Sequence, residues 1–325
     1  MKPIMCYGHE RSLTQIRYNR SGDLLFSVAK DTKPTVWFSH NGERLGTYKG
    51  HKGACWSIDV NWDSTHVVTG AADNTARVWD CETGTELHKL GTETAVRTVR
   101  FNEAFNQLAV TTDQRMGFPC EIRLFDLNDS SQMKNNKPHT VVELNDSKVT
   151  TAEWGPYDDT YITGHENGEM KLWDIKTWEP TTIVAVHDAQ VNDIQMSPNR
   201  SCLITASKDH NSKLLDPKTF EVLKTYKTDR PVNSASISPI RDHVLLGGGQ
   251  DARDVTTTST RAGKFEVRFF HEIFEEEIGR VKGHFGPINT VQFHPDGTGF
   301  ASGGEDGYIR LHHFDQDYFN FQFAM

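Results

Sequence analysis

The chain of 325 residues is 36% hydrophobic with a mean hydropathy of -0.59, too dilute for one thick core and suited to many thin sheets that each bury part of their surface on a neighbour. Its 35 basic and 44 acidic residues leave a net charge of -9. That balance opposes broad binding to RNA or DNA, where phosphate contacts dominate affinity, so no direct sequence-specific nucleic-acid binding is expected.

Self-similarity organises the rest of the chain. Lys2–Tyr7 reads as an extended segment ahead of the first Gly8-His9 pair. Residues 24–38 (LLFSVAKDTKPTVWF), 66–80 (HVVTGAADNTARVWD), 159–174 (DTYITGHENGEMKLWD), 201–216 (SCLITASKDHNSKLLD) and 299–313 (GFASGGEDGYIRLHH) then share one grammar. An apolar run is a strand. Asp followed by Asn, Gly or His is a tight turn, because those residues tolerate left-handed backbone. The alternation that follows, as in Thr75–Trp79, is a half-buried strand of period two. Another alternating strand precedes each hairpin, such as Trp56–Val60 or Ile288–Phe293, and a short fourth strand follows, such as Leu87–Leu90.

The residue closing each third strand marks the register: Trp37, Trp79, Phe125, Trp173, Leu215, Phe270 and His312. These marks lie 42, 46, 48, 42, 55 and 42 residues apart, against a WD period of roughly 40–45. The longer intervals hold insertions at 113–120, 128–139 and 254–264. The expected fold is all-β, a seven-bladed β-propeller of WD40 repeats in a single domain spanning 1–325. Its blades fall near 8–48, 49–91, 92–145, 146–185, 186–227, 228–280 and 281–314, with a strand at 2–7 and a tail at 315–325. Closing the ring removes sheet edges. Lys2–Tyr7 is expected to supply the outer strand of blade seven and hide an edge that would invite aggregation.

Histidines and aspartates recur once per repeat, which marks a feature of the fold and not an active site. The expected bonded sets are His9/Ser27/Asp31/Trp37 and His51/Thr69/Asp73/Trp79, with His284, Ser302 and Asp306 in blade seven and His187 beside Asp209 in blade five. Other blades depart: Asn167 stands for Asp in blade four, Leu215 for Trp in blade five, Gly247 for Ser or Thr and Phe270 for Trp in blade six, and His312 for Trp in blade seven. Gly247–Gln250 lacks the Lys-Ser/Thr of a phosphate loop. His312 and His313 are adjacent on a strand and point to opposite faces, and neither they nor His271 are expected to hold metal. Glu275–Glu277 reads as a solvated acidic run, with a docking patch as the competing reading. Asp317–Phe323 reads either as a strand packed on the last blades or as an exposed tail.

Cys6, Cys55, Cys81, Cys120 and Cys202 are odd in number with no CxxC spacing, which opposes a disulfide framework or zinc site and suits a reducing compartment. Met1–Glu10 has no signal core, and no run approaches the ~20 apolar residues that span a bilayer. A cytoplasmic protein without membrane contact, cofactor or catalytic residue is expected.

The grammar resembles the WD-repeat family from end to end. Residues 247–259 (GGGQDARDVTTTS), 264–291 (KFEVRFFHEIFEEEIGRVKGHFGPINTV), 301–321 (ASGGEDGYIRLHHFDQDYFNF) and the opening MKPIMCYGHERSLTQIRYNRSGDLLFSVAKD resemble more narrowly the subunit i family of eukaryotic translation initiation factor three. The resemblance implies a non-catalytic scaffold that docks subunits b and g, supports assembly of the 43S preinitiation complex and mRNA recruitment, and reaches the small ribosomal subunit indirectly. It places the contact with subunit b near blades five and six, with Asp209 and Asp229 as partner-binding residues whose reversal to Lys leaves the fold intact. An adaptor in receptor-kinase signalling is the alternative, separable by which proteins co-purify.

Overall fold

The computed structural model describes residues 2–115, 117–249 and 265–321. They form seven four-stranded antiparallel sheets. The first strands, Leu13–Tyr18, Cys55–Val60, Val96–Phe101, Val149–Trp154, Val191–Met196, Val232–Ile237 and Ile288–Phe293, pack side by side into an inner ring that closes between the last and the first. The result is the seven-bladed propeller that the repeat spacing predicts.

The third-strand marks share one register position. Trp37, Trp79, Phe125, Trp173, Leu215, Phe270 and His312 face Leu25, Val67, Leu108, Tyr161, Leu203, Val244 and Phe300 of the second strands. Apolar side chains gather between consecutive blades. Phe26, Val28, Cys55, Ile58 and Trp79 join blades one and two, and Cys6, Leu13, Ile16, Ala301 and Leu311 join blades seven and one. A propeller thus needs no thick core, only sheet faces that pack on each other. That is how a chain of low mean hydropathy buries Trp37, Trp79 and Trp154 to 1% exposure.

Ring closure rests on a short strand. Ile4, Met5 and Cys6 pair antiparallel with Leu311, Arg310 and Ile309. The paired stretch is narrower than 2–7 because Pro3 has no N–H to give the ladder and Tyr7 leaves the edge, 62% exposed. The outer strand of blade six runs Glu277–Lys282, two residues beyond the expected boundary, after a turn in which Glu275 takes φ 61°.

Among the described residues, two helices stand where the sequence reads as loop or tail. In the insertion at 128–139, α1 (Ser130–Asn135) is capped by Asp129 and buries Met133 against blades two and three. After blade seven, α2 (Gln316–Asn320) is capped by Asp315, and Tyr318 stacks on Phe314 with ring centres 3.7 Å apart. In its described part, 317–321, this segment is neither the strand nor the free tail expected of it. Its consecutive aromatics Tyr318 and Phe319 pack against the cluster that holds Phe269 and Phe300. The insertion at 254–264 lies outside the described residues.

Candidate functional site

The recurrent polar set is built by three segments of each blade. In blade two, His51 lies just before the first strand, Thr69 is in the second, and Asp73 is in the turn before the third. Asn74, next in that turn, takes φ 59°, the left-handed conformation that Asn accepts. The carboxylate only accepts, so His51 Nδ1 donates to Asp73 at 3.0 Å. His51 Nε2 lies 2.7 Å from Thr69 Oγ1, which also accepts the Trp79 indole N–H at 2.8 Å. Asp73 further accepts the backbone N–H of Lys52 at 2.9 Å and so fixes the loop after the histidine.

The same geometry recurs in blade one, with His9 at 2.8 Å from both Asp31 and Ser27 and Trp37 donating to Ser27 at 2.8 Å. It recurs in blade seven, where His284 is 2.8 Å from Ser302 and 3.1 Å from Asp306. Burial alone would raise the pKa of Asp31, Asp73, Asp209 and Asp306, but hydrogen bonds from the histidine ring and from loop N–H groups outweigh it and hold all four below the usual carboxylate range.

Blade four reaches the same end from other residues. His165, at the end of the second strand, places Nε2 2.9 Å from Thr163 Oγ1 and Nδ1 2.8 Å from Ser147 Oγ, and Trp173 donates to Thr163 at 2.9 Å. No acid joins this set. Burial, with Lys171 nearby, lowers the His165 pKa to about 4. Gly-His spacing does not find this histidine, since it comes from a strand and not from the preceding loop.

In blade six the register corrects the sequence reading. Leu246, opposite Arg268, holds the place of Thr69, and Gly247 is the counterpart of Gly70, one residue on. A Cβ at Gly247 would lie 2.7 Å from Val291 and 2.8 Å from Ile288; one at Gly70 would lie 2.6 Å from Val96. Glycine here admits the next blade's first strand. His312 stacks on Phe300 at 4.5 Å, and burial lowers its pKa to about 4, while His313 faces solvent. His271 Nδ1 accepts the N–H of Ile273 at 3.2 Å. Among the described residues, no cluster of His, Cys, Asp or Glu could hold a metal ion. Glu275–Glu277 is divided: Glu275 lies 3.5 Å from Lys224 and Glu277 pairs with Arg280, leaving Glu276 exposed.

Asp209 and Asp229 both lie on the face of the ring that carries the turns between second and third strands. Asp209 is 6% exposed and belongs to the polar set of blade five. It accepts from His187 Nδ1 at 2.8 Å, from the Asp188 N–H at 3.2 Å and from the Asn211 N–H at 2.9 Å. Reversing it to Lys would therefore disturb blade five, against the expectation of an intact fold. Asp229, by contrast, is 55% exposed and pairs with Arg268.

The channel holds charges that the repeat grammar does not mark. Arg17 of blade one reaches Asp59 of blade two and, across the axis, Glu153 of blade four, each at 3.1 Å. Arg100 of blade three meets the same Glu153 at 3.2 Å. Burial would raise the Glu153 pKa, but Arg17 and Arg100 hold it below its ordinary value. Nearer one mouth, the residue at the bulge of five first strands, those of blades one, four, five, six and seven, latches the next blade through a backbone carbonyl. Thr14 donates to the Cys55 carbonyl at 2.7 Å, Asn192 to Val232 at 2.8 Å, Asn233 to Ile288 at 3.0 Å and Asn289 to Leu13 at 2.8 Å. At blades two and three the bulge residues are Trp56 and Arg97, and the guanidinium lies over the indole at 4.9 Å. No helix among the described residues is long and apolar enough to cross a membrane.

Among the described residues, the recurrent polar sets are bonded within the blades. Comparison with known proteins gives the lineage. The family model described as EIF3I matches residues 1–324. The chain is 58% identical over 323 residues to eukaryotic translation initiation factor 3 subunit I of Taeniopygia guttata and of Homo sapiens, covering 99% of each chain. It is 56% identical over 322 residues to that of Danio rerio, again covering 99% of each. With its seven blades, its polar sets and this end-to-end identity, the chain belongs to the family of subunit I of eukaryotic translation initiation factor 3.

Proposed function

We propose that the chain is a non-catalytic scaffold subunit of translation initiation factor three in the cytoplasm. It docks subunits b and g, supports assembly of the 43S preinitiation complex and mRNA recruitment, and touches the small ribosomal subunit through the complex. The observation that carries this reading is the identity of 58% over 99% of the chain to relatives bearing that subunit's name. The physical support is a receptor whose loops are already fixed by the His–Asp bonds, so docking orders little of it. An exposed carboxylate such as Asp229 speeds encounter with a basic segment and sets its register more than it adds affinity.

The docking rim is proposed at blades five and six. Asp229 offers an exposed carboxylate there, and Asp209 shapes the loop beside it by holding His187 and Asp188. Titrating the C-terminal segment of subunit b onto the purified chain tests this. Asp229→Lys is expected to weaken binding about tenfold, or 1.4 kcal/mol, with the propeller still folded although the pair with Arg268 is lost. Unaltered affinity removes Asp229 from the interface.

A further inference from the structure

The turns joining first and second strands converge on the face opposite Asp209 and Asp229, around the other mouth of the channel. There a recess of about 480 Å³ opens between Trp62, Met196, Pro198, Ile237, Pro239 and Pro295. The charges at its floor are paired, Arg17 with Asp59 and Glu153, and Arg100 with Glu153. Trp62 of its lining is 44% exposed, and on the neighbouring turns Ile240 is 52% and Tyr157 76% exposed. Single exposed apolar residues are ordinary, but several around one recess mark an interaction site.

Charge says what kind of partner fits. Asp23, Asp63, Asp159, Asp242 and Asp296 stand exposed on these same turns. Of the nearby cations, exposed Lys218 lies over the Tyr157 ring, and the arginines are engaged within the fold. Arg200 pairs with Glu103 at 2.9 Å and donates to the Trp154 and Gly155 carbonyls at 3.1 and 2.8 Å. Arg241 holds the Phe319 and Phe321 carbonyls below α2, and Arg20 lies over the Trp62 ring. On the opposite face, exposed Lys52 and Lys208 are interspersed with Glu93 and Asp188. One side of the ring is therefore acidic around an apolar recess and the other is mixed.

We propose that this recess and its acidic rim form a second docking surface, taken by a protein segment that carries lysine or arginine beside a bulky apolar side chain. The apolar group enters between Trp62 and the prolines, and its cations meet the rim carboxylates. Phosphate-rich RNA is repelled by the same rim. The surface lies on the other side of the ring from Asp229 and stands independently of the subunit b contact.

A fluorescein-labelled leucine–lysine peptide, read by anisotropy with the full chain at ~150 mM salt, tests the proposal. The paired reversal Asp63→Lys with Asp242→Lys is expected to raise its Kd about tenfold, and Trp62→Ala, which keeps every charge, by severalfold. The paired reversal Glu93→Lys with Asp188→Lys on the opposite face is expected to leave Kd within about twofold, and a photo-reactive version of the peptide is expected to crosslink within 61–65, 197–201 or 238–242. Asp229→Lys leaves this peptide's binding unchanged if the two surfaces are separate. Absence of binding, equal loss from reversals on either face, or crosslinks confined to the turns between second and third strands would overturn the proposal.

Discussion

Thr69 Oγ1 serves two neighbours at once, His51 Nε2 and Trp79 Nε1, in a place with 0% exposure. Replacing it with Val leaves both without a partner. Since each stranded buried polar group costs roughly 1–3 kcal/mol, Thr69→Val is expected to lower stability by about 2–4 kcal/mol in urea unfolding, whereas Thr69→Ser retains most of it. Thr163→Val is expected to behave alike, because His165 and Trp173 share that oxygen. Titration gives a second expectation. Burial lowers His165, His243 and His312 from 6.5 to about 4. Between those values the unfolded chain binds protons that the folded chain refuses, so stability falls as pH drops from about 6.5 to about 4. Below that range the depressed aspartates take over: their contribution is present above the ordinary carboxylate range and is lost as pH falls through their folded values. Urea midpoints at graded pH check this; a flat profile from pH 7 to 5 would contradict it.

At the scale of the element, blade seven depends on a strand from the other end of the chain. Deleting residues 1–7 unpairs the edge at Ile309–Leu311 and uncovers Cys6's partners in the core between blades seven and one. The truncated chain is expected to aggregate, as exposed edges do, and light scattering during a thermal ramp reads it; normal melting without aggregation would contradict the clasp. Such elements differ in how far the sequence reveals them. The seven third-strand marks were legible because every blade needs a large side chain at one register position. The His165 set was hidden because its ring comes from a strand and not from the Gly-His loop. Gly247 was read one place off because a run of three glycines conceals where the strand's polar position falls. Residues 316–320 alternate too briefly to tell strand from helix, and their contact with Phe314 decides for helix.

Across the whole molecule, the channel joins blades that are distant in sequence. Glu153 holds Arg17 of blade one and Arg100 of blade three. Glu153→Ala removes the carboxylate that both guanidinium groups share, leaving Arg17 with Asp59 and Arg100 with Ser57 and the Val99 carbonyl, and breaking a buried ion pair by removing one partner costs about 3–5 kcal/mol; a loss below about 1 kcal/mol in urea unfolding would show that the network carries little. No repeat pattern marks this network, because the residue type at the channel position varies around the ring, from Arg17 and Arg100 to Asp59, Glu153, Gln195 and Ser236. The ring so locked presents two differently charged faces, one with Asp229 and one with the recess at Trp62, as a scaffold for partners should. The most direct measurement of that role is native mass spectrometry of the endogenous assembly purified through this chain. The account predicts one copy of the chain at fixed stoichiometry with initiation factor subunits b and g. Recovery of the chain apart from those subunits, with receptor kinases in their place, would contradict it.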